Sequence, residues 1–227
     1  MFESENAMVE NFIATTSETA WTRHSDGGEA RSVFESECSE GRADWVWARI
    51  ESQWPQHWNN DAPRVLQNPS CSRILSYLKR SSPRTKAFLR NRLGVSPATF
   101  NNAIRDLVKS ELVDVKDKEL FLLSKKLDIP PIEICAFEFK LKDWRRAFFQ
   151  ATRYRNFAHR VYVVLPASII HRTEKLHDAF RTQNIGLLSH DAEGNTRRVI
   201  NSRKRSPRSR SNLYQALGML EEHGRTI

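Results

Sequence analysis

Ile132-Glu-Ile-Cys-Ala-Phe-Glu-Phe-Lys-Leu141 is the stretch on which the reading of this chain turns. It has the composition of a buried β-strand. Side chains alternate along a strand, so Cys135, Phe137, Phe139 and Leu141 point one way, and Ile134, Ala136, Glu138 and Lys140 the other. Charged side chains enter such a strand only when paired or bound to a metal. A carboxylate two residues before a lysine suits metal-assisted phosphodiester chemistry: the acid holds a divalent cation and the ammonium balances charge or positions water. A surface Glu–Lys pair at a strand end is the competing reading of the tripeptide taken alone.

The rest of the chain bounds what that strand can belong to. At 227 residues it fits one large domain or two small ones. Charged residues make up 28% of it and the mean hydropathy is −0.60, the profile of a soluble protein. No apolar run approaches the ~18 residues of a membrane span. The opening MFESENAMVENF lacks the basic start and apolar core of a signal peptide. Cys38, Cys71 and Cys135 are dispersed and form no CxxC pair, so neither a zinc site nor a disulfide framework is expected, and the setting expected is cytoplasmic.

Charge is unevenly spread. Residues 1–63 carry 4 Lys/Arg against 12 Asp/Glu, residues 64–140 carry 15 against 8, and residues 141–227 carry 17 against 7. A basic body behind an acidic leading segment attracts polyanions, and nucleic acid is the expected partner.

Along the chain, residues 8–22 read as a helix and 24–30 as a loop. Val33 to Cys38 and Ala43 to Ile50 read as a strand hairpin, with Asp44, Val46 and Ala48 on one face and Trp45, Trp47 and Arg49 on the other. Residues 54–68, with Pro55 and Pro63, read as a break. Three short helices follow, at 72–79, 85–93 and 97–110. Ser96 caps the third, Pro97 opens it, and Phe100, Ile104, Leu107 and Val108 form its apolar stripe. Residues 112–115 and 120–123 make a hairpin. Beyond Leu141 the order is a helix at 143–157, a buried strand at 161–165, a helix at 173–181, strands at 185–189 and 197–200, a basic Ser-rich stretch at 201–210 that reads as a mobile loop, and a helix at 211–223.

Three helices followed by a hairpin, carried by LGVSPATFNNAIRDLVKSELV, resemble a winged helix-turn-helix over residues 64–126. The resemblance implies that the third helix enters the major groove, with Thr99, Asn101, Asn102 and Arg105 touching DNA and Lys116 and Lys118 on the wing.

The elements outside that segment are similar to the PD-(D/E)XK, or restriction-endonuclease-like, nuclease superfamily. GRADWVWARI, AFEFKLKDW, QATRY and RVYVVLP carry the resemblance in order. It implies an α/β fold: a mixed sheet flanked by helices, formed by residues 1–63 and 127–227, with the α+β winged helix of 64–126 inserted. It further implies that Asp44 and Glu138 bind Mg²⁺ (or Mn²⁺ in its place), that Lys140 is the catalytic lysine, and that Gln150 and Tyr154 form a QxxxY element. Glu37, in preference to Glu35, would add a metal-binding acid. Arg145, Arg146, Arg153 and the loop with Arg203, Lys204 and Arg205 would track the phosphate backbone. The activity implied is metal-dependent DNA endonuclease, with RNA not excluded, acting as a homodimer or within a larger nucleoprotein assembly. Two alternatives stand beside it: a non-catalytic winged-helix DNA-binding regulator, and a nuclease subunit of a larger defence or recombination complex. Glycine-loop nucleotide chemistry and histidine metal centres find no matching spacing among the 8 glycines and 7 histidines.

Overall fold

In the computed structural model, which describes residues 2–16, 29–38, 41–50, 58–129 and 131–226, the long apolar strands form the middle of the molecule. Helix α1 (Glu5–Thr15) is followed by β1 (Glu29–Cys38) and β2 (Gly41–Ile50). Then come α2 (Ala62–Gln67), α3 (Pro69–Tyr77), β3 (Arg84–Thr85), α4 (Lys86–Leu93), α5 (Pro97–Lys109), β4 (Val113–Lys116) and β5 (Leu120–Leu123). The chain returns to the main sheet with β6 (Ile132–Phe139), α6 (Trp144–Tyr154) and β7 (Arg160–Pro166). A 3₁₀ segment (Ala167–Leu176), α7 (His177–Gln183), β8 (Gly186–His190), β9 (Thr196–Ile200), α8 (Arg210–His223) and β10 (Arg225–Thr226) complete it.

The main sheet is mixed and seven-stranded, in the order β10-β1-β2-β6-β7-β8-β9. β1, β2 and β6 run antiparallel, while β6, β7 and β8 are parallel. Every residue of β6 is buried, because helices cover both faces of the sheet. Met8 and Phe12 of α1 pack on Trp45, Trp47, Phe137, Phe139 and Tyr162. The opposite face holds Val46, Ala48, Ile134 and Ala136 against α6, whose buried stripe is Trp144, Ala147, Phe148, Ala151 and Tyr154. Both strand alternations expected from the sequence are therefore realised.

Between β2 and β6 lies a helical unit edged by a second sheet, of three strands in the order β3-β5-β4. Its helices begin where side chains can take up the free N–H groups: Asn68 accepts from Ser70 and Cys71, Thr85 from Phe88, and Ser96 from Thr99. Gly94, at φ +64°, ends α4 in the left-handed conformation that favours glycine. These elements form a winged helix. Its core is continuous with that of the main sheet, since one buried cluster contains both Phe100 and Leu107 of α5 and Val46 and Ile134 of the strands. Helix α8 makes the joint by lying on α2 and α3. There Ser72 Oγ meets Ser211 Oγ at 3.0 Å and the Gln215 amide at 2.8 Å.

Several local expectations are corrected. The first helix begins at Glu5, capped by Ser4, rather than at residue 8. Pro63 does not break structure: it lies in the first turn of α2, where its missing N–H costs nothing. Ala103 takes the place of Val108 in the buried stripe of α5, and Val108 is exposed, because the helix turns its 100/103/107 edge inward. The basic stretch 201–210 is not loose. Its backbone N–H groups at Arg205, Arg208 and Ser209 donate to the carbonyls of His159, Arg155 and Asn156, and Ser202 is wholly buried.

Candidate active site

The ladder between β2 and β6 runs from Ile50↔Ile132 to Trp45↔Phe137. The next pair would be Asp44 and Glu138, two acids facing one another across adjacent strands. Like charges in such positions repel, so the site needs compensation. Asp44 Oδ2 accepts the Phe139 N–H at 2.7 Å, a side chain taking over where the backbone ladder ends. Glu138 is fully buried, and its Oε2 accepts the Tyr154 hydroxyl at 2.5 Å.

Lys140 supplies the compensating charge. Its Nζ lies 3.1 Å from Glu138 Oε1, 3.9 Å from Asp44 Oδ2 and 3.0 Å from Glu5 Oε2, and it donates to its neighbour's carbonyl, Phe139 O, at 2.9 Å. The contact with Glu138 Oε1 is an ion pair without hydrogen-bond alignment, which leaves that buried oxygen short of a partner. Burial pushes the Glu138 carboxyl up to about 7, with the charge of Asp44 adding to the effect and the Tyr154 bond opposing it. Burial likewise raises Asp44, against the Phe139 hydrogen bond and Lys140. For Lys140 burial pulls downward, but the carboxylates of Glu138 and Asp44 outweigh it and hold the ammonium above its ordinary value.

Asp44 and Gln150 open onto a cleft of about 470 Å³, walled by Glu5, Val9 and Glu10 of α1, Phe34 and Glu35 of β1, and Arg42 of β2. Gln150 Oε1 is buried there without a hydrogen-bond partner. The structure thus brings Asp44, Glu138, Lys140, Gln150 and Tyr154 together in one place. Sequence reasoning misses Glu5, whose Oε2 pairs with Lys140. Glu5 lies 39 residues before Asp44, ahead of the start expected for its helix, so no spacing signal points to it. Glu35 is in the cleft wall but is ion-paired to Arg42, and the Glu37 side chain lies outside the described residues.

The oxygens around Lys140 Nζ, namely two carboxylates on facing strands, a strand carbonyl and Glu5, are hard donors of the kind that hold Mg²⁺. Among the described residues no three His, Cys, Asp or Glu side chains converge closely enough to form a metal cage unaided. A cation here would keep much of its water shell, as Mg²⁺ characteristically does. The ammonium now stands among these same oxygens.

The residues expected to meet DNA are on the surface. Thr99, Asn101, Asn102 and Arg105 are exposed on α5, away from its buried residues, and Lys116 and Lys118 are exposed at the β4–β5 turn. Arg145 lies over the Trp144 ring at 4.2 Å, Arg146 and Arg153 are exposed on α6, and Arg203 and Arg205 are exposed on the 201–210 segment. Lys204 is exposed too, although its Nζ pairs with Glu133 at 3.2 Å.

Residues 68–119 match the MarR family. The matched family is one of winged-helix DNA-binding domains, and the matched residues coincide with α3 through the β4–β5 turn. Asp44, Glu138, Lys140, Gln150 and Tyr154 lie outside the match, which supports no nuclease family. Neither the curated proteins nor the solved structures gave a match to this chain. Among the described residues no helix is long and apolar enough to cross a membrane.

Proposed function

We propose that this protein is a metal-dependent DNA nuclease in which residues 1–63 and 127–227 form the catalytic unit and the inserted winged helix of 64–126 engages DNA. The observation that carries the reading is the Lys140 ammonium gathered with Glu138, Asp44 and Glu5, the last two of which line a cleft. Two acids so close and largely buried cost a fold stability, and such perturbed groups cluster at functional sites. Asp44, Glu138 and the Phe139 carbonyl would hold Mg²⁺ or Mn²⁺, which when bound would lower the pKa of its water and offset phosphate charge. Lys140 would place the attacking water and balance charge, Tyr154 orients Glu138, and Gln150 faces the strand being cut. Cytoplasmic location and RNA as a further substrate belong to the same proposal.

A second reading has its own support. The MarR-like segment favours a DNA-binding regulator whose remaining elements do not cut. The two separate on one experiment: labelled single-stranded, duplex and branched DNAs incubated with Mg²⁺, Mn²⁺ or EDTA, with Glu138→Ala and Lys140→Ala as controls. The nuclease reading expects metal-dependent cleavage, lost in both variants while duplex binding persists. Tight duplex binding with no cleavage of any form under either metal would leave the regulator.

A further inference from the structure

Phe34 is a large apolar residue left 42% exposed at the cleft. It is not loosely placed. Its ring stacks on Trp45 at a centroid distance of 6.4 Å and an interplanar angle of 18°, and Trp45 rests on Phe137 at 4.7 Å. Two buried rings therefore back one exposed ring.

The backbone beside it is distorted. The β1–β2 ladder pairs Phe34↔Trp45 and then Ser36↔Ala43, skipping the rung at Glu35 and Asp44. Glu35 adopts φ +48°, a left-handed conformation that a glutamate takes only under constraint. The strain sits directly across from a site acid and fixes the strand where Phe34 enters the cleft wall. Gln150, reaching the same cleft from α6, has a buried Oε1 with no hydrogen-bond partner. A buried acceptor in this state costs stability until something donates to it.

Charge bears on what can enter. Glu5 and Asp44 are offset by Lys140 and Glu35 by Arg42, so a phosphate enters only beside these cations or a bound metal, whereas a neutral group needs neither. Its volume, about 470 Å³, falls within the range of small-ligand pockets and far below what a duplex would need.

We infer that the cleft takes one unpaired nucleobase of the bound strand, stacked on Phe34 with its edge on the Gln150 amide, so that the favoured DNA is single-stranded, frayed or branched next to the site. The identity of the strand rests on the nucleic-acid reading above. A base within a continuous duplex has both faces covered and cannot stack there unless it is extruded. Aromatic platforms of this kind tolerate any base, because every base has a π-face.

The test uses oligonucleotides carrying 2-aminopurine as single strand, plain duplex and duplex with a short overhang, in EDTA so that nothing is cut. Wild type should quench the probe in the single strand and the overhang but not in the duplex. Phe34→Ala should lose the quench and bind the overhang about tenfold more weakly, with plain-duplex binding unchanged. Phe34→Tyr should behave as wild type, and plain-duplex binding by Phe34→Ala at wild-type strength shows that the truncated variant is folded. The proposal is overturned if Phe34→Ala binds all three forms as wild type does, or if wild type prefers the plain duplex. Absence of metal-dependent cleavage would remove the nuclease reading and leave this binding result standing. Conversely, a cutting enzyme indifferent to Phe34→Ala would lose the base subsite alone.

Discussion

Tyr154 places its hydroxyl 2.5 Å from Glu138 Oε2 and 2.7 Å from the carbonyl oxygen of Arg42. One phenolic hydrogen faces two acceptors. The hydroxyl donates to Glu138, in keeping with its downward pull on that carboxyl, and the Arg42 carbonyl is the alternative acceptor. Tyr154→Phe removes both bonds inside a buried site. The expected loss is about 1–3 kcal/mol of stability in urea denaturation, with the fold retained. An unchanged midpoint would show that neither bond contributes.

Glu138 also gives a pH and metal dependence of definite sign. Its folded value of about 7 exceeds the 4.5 of a free side chain, so the folded state binds the proton more tightly. The stability it contributes is therefore complete below 4.5, declines as pH rises from 4.5 to 7, and is lost above. Asp44 is raised in the same direction. A divalent cation should reverse the loss. Mg²⁺ at pH 8 is expected to raise the Tm of wild type by a few degrees, on the scale of ~2–4 °C per kcal/mol, and to leave Glu138→Gln unmoved. Equal shifts in both proteins, followed by scanning fluorimetry, would place the ion elsewhere.

His159 carries an acid-sensitive bond of the opposite kind. Its Nδ1 accepts the Ile134 N–H at 3.1 Å, and burial, with Lys204 adding to it, pushes the ring down to about 4 from 6.5. The contribution is complete above 6.5 and is lost as pH falls toward 4. It amounts to a few kcal/mol, at roughly 1.4 kcal/mol for each tenfold difference in proton affinity between the folded and unfolded chain. Chemical denaturation between pH 7 and 4 should show this slope in wild type and a flatter one in His159→Asn.

Gly218 in α8 is a point of close approach. A Cβ there would lie 2.4 Å from the carbonyl oxygen of Pro63 and 2.9 Å from Leu66 Cβ in α2. Gly218→Ala should cost about 1–3 kcal/mol by overpacking, read as a lower unfolding midpoint, and an unaltered midpoint would mean that the two helices part easily.

On the DNA side, Arg105→Ala should weaken duplex binding by about 1–3 kcal/mol and relax sequence preference, whereas Lys116→Ala should weaken all sequences alike and lower the salt slope by about one. Anisotropy titrations across salt concentrations measure both. If neither variant changes affinity, the α5 face is not the DNA contact.

Much of this arrangement is legible in the residues. Unbroken apolarity marks β6 as central, and alternation assigns the faces of β2 and β6. Ser96-Pro97 and Gly94 place the ends of α4 and α5, because caps act within a turn. What is not legible depends on distant partners. Glu5 meets Lys140 only because Met8 and Phe12 seat α1 on the sheet. The anchoring of 201–210 depends on carbonyls at 155–159, which a serine- and arginine-rich composition does not reveal. Val108 looks like part of an apolar stripe until the rotation of α5 is fixed by its neighbours.

The α8 joint has a consequence for how the chain reaches this state. Gln215 meets Ser72 across 143 positions of sequence, and Glu222 meets Gln67 across 155. Contacts of such high contact order form slowly, after local helices and hairpins. The MarR-like segment holds its own caps and turns and can organise early, but its orientation toward the acid cluster waits on residues that are synthesised much later. The α5 face and the cleft are thus expected to come into register only as folding ends.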